Sequence, residues 1–131
     1  MPQSDQETVQ SILVEIDNMA KIMKGKTKRE LAGDLTLERA VSMTLGLIGE
    51  KANKITTQFK AHHPEVEWRK IIALRNRIVH SYEDLDFDII YETIRRKLPE
   101  LKRQLKKSVA VTPQTELSSK KKNRPSKGQQ R

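Results

Sequence analysis

The sequence has no cysteine and few aromatic side chains, which make up 4% of its 131 residues. Without cysteine it can form neither a disulfide framework nor a thiolate zinc site, and its composition is compatible with an intracellular compartment. It also has no apolar run long enough to span a bilayer and no secretory signal pattern, so we expect a soluble protein. Because aromatics are scarce, the core must be built from Ile, Leu, Val and Met.

The formal net charge of +9 is unevenly distributed. Residues 1–100 carry 16 Lys and Arg against 16 Asp and Glu, whereas residues 101–131 carry 10 basic residues against Glu116 alone. A segment with this charge and little apolar periodicity cannot bury enough surface to order itself. We therefore predict a helical domain over residues 1–107 and a basic, disordered tail over 108–131. We interpret the tail as solubilising, with a nucleic-acid-binding arm as the alternative.

The spacing of apolar residues predicts four amphipathic helices. Ser4 followed by Glu7 is a capping-box pattern, which marks the start of the first helix. The predicted spans run from Ser4 to Gly25, from Asp34 or Thr36 to Phe59, from around Glu65 to Glu67 up to an acidic loop at Glu83 to Asp86, and from Asp86 to Leu105. A short turn is possible at Thr27 to Glu30. Pro99 should either kink the last helix or start a further one.

No alternation typical of strands and no hairpin signal is present, so we predict an all-α, antiparallel bundle of four to five helices. The apolar stripes on the second and fourth helices are wide for so small a domain. A second copy would cover them, and we expect a homodimer.

Three reactive side chains stand close together on the third helix: Arg75, His80 and Tyr82. Arg75 follows Ile71 by four residues and so projects from the apolar stripe, where a guanidinium needs an anion, carbonyls or an interface. Asn76 and His80 form an i, i+4 pair, in which the amide could orient the imidazole. Arg75 and His80 lie about 140° apart around a straight helix, so a bend or a second chain must bring them together.

Purely structural roles are open for the same residues. Arg75 could tie two helices together through a carboxylate such as Glu50. His80 could interact with the last carbonyl groups of its helix. Tyr82 could be a core aromatic with its hydroxyl at the edge.

The pattern Arg75, four residues, His80, one residue, Tyr82 resembles the signature of the HEPN superfamily and in particular its HepT-like toxins. The resemblance covers most of residues 8–105. It includes three further segments, in the same order and spacing: Leu47 to Ala52, His63-Pro64-Glu65 with Trp68-Arg69, and Leu98 to Lys102. Two positions depart from the family pattern: Ser81 replaces a frequent glycine, and Arg77 adds a cation that would depress the pKa of His80 if both faced one pocket.

The resemblance implies a cytoplasmic ribonuclease toxin that needs no metal or other cofactor, with its site at the interface of a homodimer. His80 would act as base or acid on RNA, Arg75 would stabilise the phosphorane and Asn76 would fix the imidazole, with Arg77 and Glu50 as possible supporting residues. It also implies a type II/VII-like toxin–antitoxin system, in which an MntA-type nucleotidyltransferase antitoxin AMPylates Tyr82. Two alternatives are a noncatalytic helical partner subunit of a nucleotidyltransferase and a tail-driven RNA-binding protein.

Overall fold

The computed structural model of the protein describes residues 4–110, which are all-α, as predicted. The helices are α1 (Asp5–Met23), α2 (Lys28–Gly33), α3 (Leu35–Lys54), α4 (Thr57–His62), α5 (Trp68–His80) and α6 (Phe87–Ala110), with one 3-10 turn at Tyr82–Asp84. Within this range no helix is both long and apolar enough to cross a membrane. Of the predicted tail, residues 108–110 form the end of α6. Residues 111–131 lie outside the described part of the chain.

Side-chain caps fix the starts of the first three helices. At α1 the predicted capping box is formed: the Glu7 amide donates to Ser4 Oγ at 3.1 Å and the Ser4 amide to the Glu7 carboxylate at 2.9 Å. The same reciprocal pair joins Thr27 and Glu30, so the predicted turn there is the six-residue helix α2. The Asp34 carboxylate accepts from the Leu37 amide at 3.0 Å and starts α3.

The predicted extension of the second helix to Phe59 is wrong. The helix ends at Lys54, and a new helix starts with Thr56 as its N-cap. Asp5, 51 residues away, explains the break, because its carboxylate accepts hydrogen bonds from the Thr56 amide at 3.0 Å and from the Thr56 hydroxyl at 2.6 Å. In a continuous helix the Thr56 amide would bond to the Ala52 carbonyl oxygen, whereas its bond to Asp5 holds the corner against the first turn of α1.

The core lies between α3 and its neighbours. α3 packs on α1 and α5, and α6 packs on α1 and α2. The fully buried aliphatic and methionine side chains confirm a core with few aromatics, and they include Val9, Ile12, Met19, Leu31, Val41, Ile48 and Leu105. α6 is continuous through Pro99, so no separate final helix starts there.

An apolar groove of about 430 Å³ lies between α5 and α6, with α3 at its floor. Its floor and walls include Leu45, Ile48, Leu74, Ile89 and Leu101. Charged side chains from both helices and from Asp86, just before α6, also line it, among them Lys70, Arg77 and Glu100.

Candidate active site

Gly49 lets α3 and α5 approach closely at the point where the motif begins. A Cβ on Gly49 would overlap the Cβ of Arg75 and would lie 3.1 Å from the carbonyl oxygen of Ile71. Only glycine leaves room for this crossing. The absent side chain therefore sets the position of Arg75 relative to α3.

Two acceptors hold the guanidinium of Arg75. Its Nη2 forms an ion pair with Glu50 Oε1 at 2.8 Å, and its Nη1 donates to Asn76 Oδ1 at 2.9 Å. Arg75 is partly buried, as its place on the apolar stripe predicts, and the anion it needs is the predicted carboxylate on the neighbouring helix. The two bonds fix the direction in which its remaining donors point.

His80 is the last residue of α5, where the Ser81 amide closes the helix by donating to the Arg77 carbonyl oxygen at 2.8 Å. The imidazole is exposed. The hydrogen bond expected between Asn76 and His80 is not formed within the described chain, and the Asn76 amide oxygen accepts from Arg75 instead. Asn76 thus orients the cation instead of the imidazole.

His80 and Tyr82 line one open cavity of about 680 Å³, together with Arg39, Leu85 and Phe87 and the acidic residues Glu38, Glu83 and Asp84. Arg75 does not line this cavity, in keeping with the 140° separation expected on a straight helix. Arg77 lines the groove on the other side of α5, so it and His80 do not share a pocket. The expected effect of Arg77 on His80 requires both residues to face one pocket, and within a single chain they do not.

Sequence reasoning missed Arg39. Its guanidinium carbon lies 4.8 Å from the centroid of the Tyr82 ring, and Phe87 meets the ring edge-on at 6.3 Å. The Tyr82 hydroxyl oxygen is buried and has no hydrogen-bond partner within residues 4–110. Arg39 and Glu50 are eleven residues apart, or three turns, and so share one face of α3. The sequence thus shows that Arg39 and Glu50 share a face, whereas their pairing with Tyr82 and Arg75 arises from the packing of α5 on α3.

The contacts of Arg75 with Glu50 and of Tyr82 with Arg39 set α3 and the motif segment antiparallel. Exposed apolar side chains lie on the same surface: Met43 is 65% exposed, Leu47 38% and Val79 54%. Met43 and Leu47 lie between Arg39 and Glu50 on α3, and Val79 directly precedes His80. The motif therefore borders a patch of several exposed apolar side chains, whose combined area is larger than that of one isolated side chain.

Among residues 4–110, no group of three or more His, Asp or Glu side chains is placed to hold a metal ion.

Several proteins are similar to this chain over most of its length. Putative RNase TTE0752 of Caldanaerobacter subterraneus subsp. tengcongensis is 32% identical over 98 residues, which is 75% of this chain and 88% of that protein. Probable ribonuclease HepT of Thermococcus cleftensis is 26% identical over 107 residues, which is 82% of this chain and 97% of that protein. Putative RNase MJ0127 of Methanocaldococcus jannaschii is 29% identical over 103 residues, or 76% and 83% of the two chains. No solved structure was found that matches. The model of the HepT-like ribonuclease family matches residues 12–108, and the chain belongs to that family.

Proposed function

We propose that this protein is an endoribonuclease that needs no metal ion and acts as a homodimer, with Arg75, Asn76 and His80 at its site. Membership of the HepT-like ribonuclease family supports RNA as the substrate. The observation that carries the proposal is the placement of the motif. Arg75 is held in one direction by Glu50 and Asn76, while His80 is exposed five residues further along α5.

The chemistry follows from these groups. The ribose 2′-oxygen attacks the adjacent phosphorus while an imidazole takes its proton, and the bond from phosphorus to the 5′-oxygen breaks. A second imidazole gives a proton to that 5′-oxygen, which leaves a 2′,3′-cyclic phosphate and a 5′-hydroxyl. Arg75 stabilises the negative charge that develops on the phosphorane. The base and the acid are the His80 residues of the two subunits, since one chain offers only one imidazole here.

A homodimer also accounts for the surface beside the motif. Met43, Leu47 and Val79 would be covered by a second copy related by a two-fold axis, which would bring each Arg75 towards the other subunit's His80. A cation and an imidazole that diverge on one straight helix can converge only in this way or by a bend in α5.

Tyr82 is the proposed site of inhibition. An MntA-type nucleotidyltransferase antitoxin would transfer AMP to it: the phenolic oxygen attacks the α-phosphorus of ATP, an oxygen–phosphorus bond forms, pyrophosphate leaves and the phenolic proton is released. An AMP group on Tyr82 would fill the cavity that His80 lines. The protein would then be the toxin of a type II/VII-like toxin–antitoxin system in the cytoplasm.

The test replaces the imidazole. His80→Ala should lower the rate at which RNA ends with a 2′,3′-cyclic phosphate form by about 10²- to 10⁴-fold. The variant should also no longer inhibit growth. His62→Ala is the matched control, because His62 is an exposed histidine outside the cavity. A His80→Ala protein that cleaves RNA and inhibits growth as the unaltered protein does, at equal expression, would refute the proposal.

A noncatalytic subunit of a nucleotidyltransferase is the second candidate, and it is favoured by the guanidinium of Arg75 being already paired within the chain. Under that hypothesis the purified dimer cleaves no RNA, and Arg75→Ala weakens binding to the transferase without affecting any activity.

A tail-driven RNA-binding protein would instead lose its RNA affinity when residues 112–131 are deleted. Those residues lie outside the described part of the chain.

A further inference from the structure

The hydroxyl group of Tyr82 is hidden from solvent although the proposed modification requires it to react. Its oxygen is buried and makes no hydrogen bond within the described residues. An unpaired buried hydroxyl is unfavourable, because it has given up its bonds to water without replacement. Other contacts of the side chain must therefore hold the ring in this position.

Arg39 supplies such a contact. Its guanidinium carbon stands 4.8 Å over the ring centroid, within the range of a cation–π interaction. The Arg39 side chain makes no hydrogen bond and no ion pair with any residue from 4 to 110, so its contact with the ring of Tyr82 is the interaction that holds the guanidinium. Arg75, by contrast, is engaged by Glu50 and Asn76. Phe87 meets the ring edge-on at 6.3 Å and supports it from a second side.

The same cavity offers Arg39 other partners. Glu83 and Asp84 follow Tyr82 directly and line the cavity with Arg39, as does Glu38. A guanidinium that turned from the ring to one of these carboxylates would exchange one favourable contact for another. In the observed arrangement the guanidinium covers the ring, and an arrangement paired with a carboxylate would leave the ring uncovered.

We propose that Arg39 is a positioning residue of this site: its guanidinium holds Tyr82 with the phenolic oxygen buried, and the oxygen becomes reactive when that contact opens. The biological meaning rests on the proposed function, in which this oxygen attacks the α-phosphorus of ATP. Arg39 would then set how readily the enzyme can be switched off, without taking part in RNA cleavage.

N-acetylimidazole tests this directly, because the phenolic oxygen attacks the acetyl carbon and imidazole leaves with the proton. The chain has two tyrosines, Tyr82 and Tyr91, and tandem mass spectrometry assigns the acetyl group to each. Arg39→Gln should raise the acetylation rate of Tyr82 about two- to fivefold, the range expected for loss of an exposed cation–π contact. Arg39→Lys should restore part of the protection.

Arg69→Gln is the matched control, since Arg69 is an exposed arginine at the other end of α5, eleven residues before His80. It should leave the rate at Tyr82 unchanged, and no variant should change the rate at Tyr91. Equal rates at Tyr82 in Arg39→Gln and the unaltered protein would overturn the proposal. So would a rise at both tyrosines, which would indicate general loosening.

A measurement on the unaltered protein covers the case in which Arg39→Gln does not fold. Tyr82 should react more slowly than free N-acetyltyrosinamide, and an equal rate would overturn the proposal. Neither RNA nor a nucleotidyltransferase is present in these assays. Failure of the Arg39 proposal is therefore distinguishable from failure of the ribonuclease proposal.

Discussion

At the residue scale, the ion pair between Arg75 and Glu50 orients the guanidinium but contributes little to the stability of the fold. Both side chains are partly exposed, at 29% and 41%, and pairs of this kind contribute about 0–1 kcal/mol. A guanidinium fixed by two acceptors is nevertheless pre-organised towards a third, which is the condition for stabilising a phosphorane. The value of Glu50 should therefore appear in the rate of RNA cleavage.

We expect Glu50→Gln to lower the rate of RNA cleavage about tenfold or more while reducing the free energy of unfolding by no more than about 1 kcal/mol. Glu92→Gln is a matched control, because Glu92 is 39% exposed and pairs with Lys28 at 3.0 Å away from the motif. Cleavage assays and urea unfolding should separate the two variants. Equal cleavage rates for them would show that Glu50 has no part in the site.

At the scale of the elements, the crossing of α3 and α5 depends on a position without a side chain. Gly49→Ala should force the helices apart, because the new Cβ would overlap the Cβ of Arg75, at a cost of about 1–3 kcal/mol. Gly46→Ala meets nothing within 4 Å and should stabilise α3 by about 0.5–1 kcal/mol. Urea unfolding of the two variants should shift in opposite directions, and a shift in the same direction would contradict this account of the crossing.

Two ion pairs tie α6 to other helices and should make the bundle sensitive to acid. Lys102 donates to Asp17 of α1 at 2.9 Å, and Lys28 of α2 binds Glu92 at 3.0 Å; these bonds lower the pKa of both carboxyls. A lowered pKa in the folded state means that the stabilisation is complete above the ordinary carboxyl pKa of about 4 and is lost as the pH falls through the lowered values. Asp17→Asn should therefore flatten the fall of the melting temperature below about pH 4. An unchanged acid profile would argue against this pair.

The sequence predicted most of these elements because their signals are local. Caps such as Ser4 with Glu7, and Asp34, act within one turn, and apolar periodicity shows which side of a helix is buried. The break at Thr56 could not be predicted, since it depends on Asp5 at the far end of the sequence. Arg39 was missed for the same reason: its partner Tyr82 is brought to it by the packing of α5 on α3.

At the scale of the whole molecule, the proposed site is shared between two copies, so assembly and activity should be lost together. Leu47→Asp places a charge on the exposed apolar surface beside Glu50 and should shift the protein towards monomer and abolish cleavage. Val14→Asp is the control, because Val14 is a comparably exposed apolar residue on α1. Sedimentation and cleavage should be measured on the same samples. A monomeric Leu47→Asp protein that still cleaves RNA would refute the shared site.

The sparse burial of α5 has a consequence for its motion. Trp68 is the one buried residue of this helix, whereas α3 has eight buried residues. A helix with one buried residue opens locally at a smaller free-energy cost than one with eight, so its amides should exchange with deuterium earlier than those of α3. The proposed catalytic motif would then lie on a helix that fluctuates more than α3 in the free subunit. Association of two copies should slow the exchange of the α5 amides. Dimer formation would then reduce the local opening of the helix that carries the proposed active site.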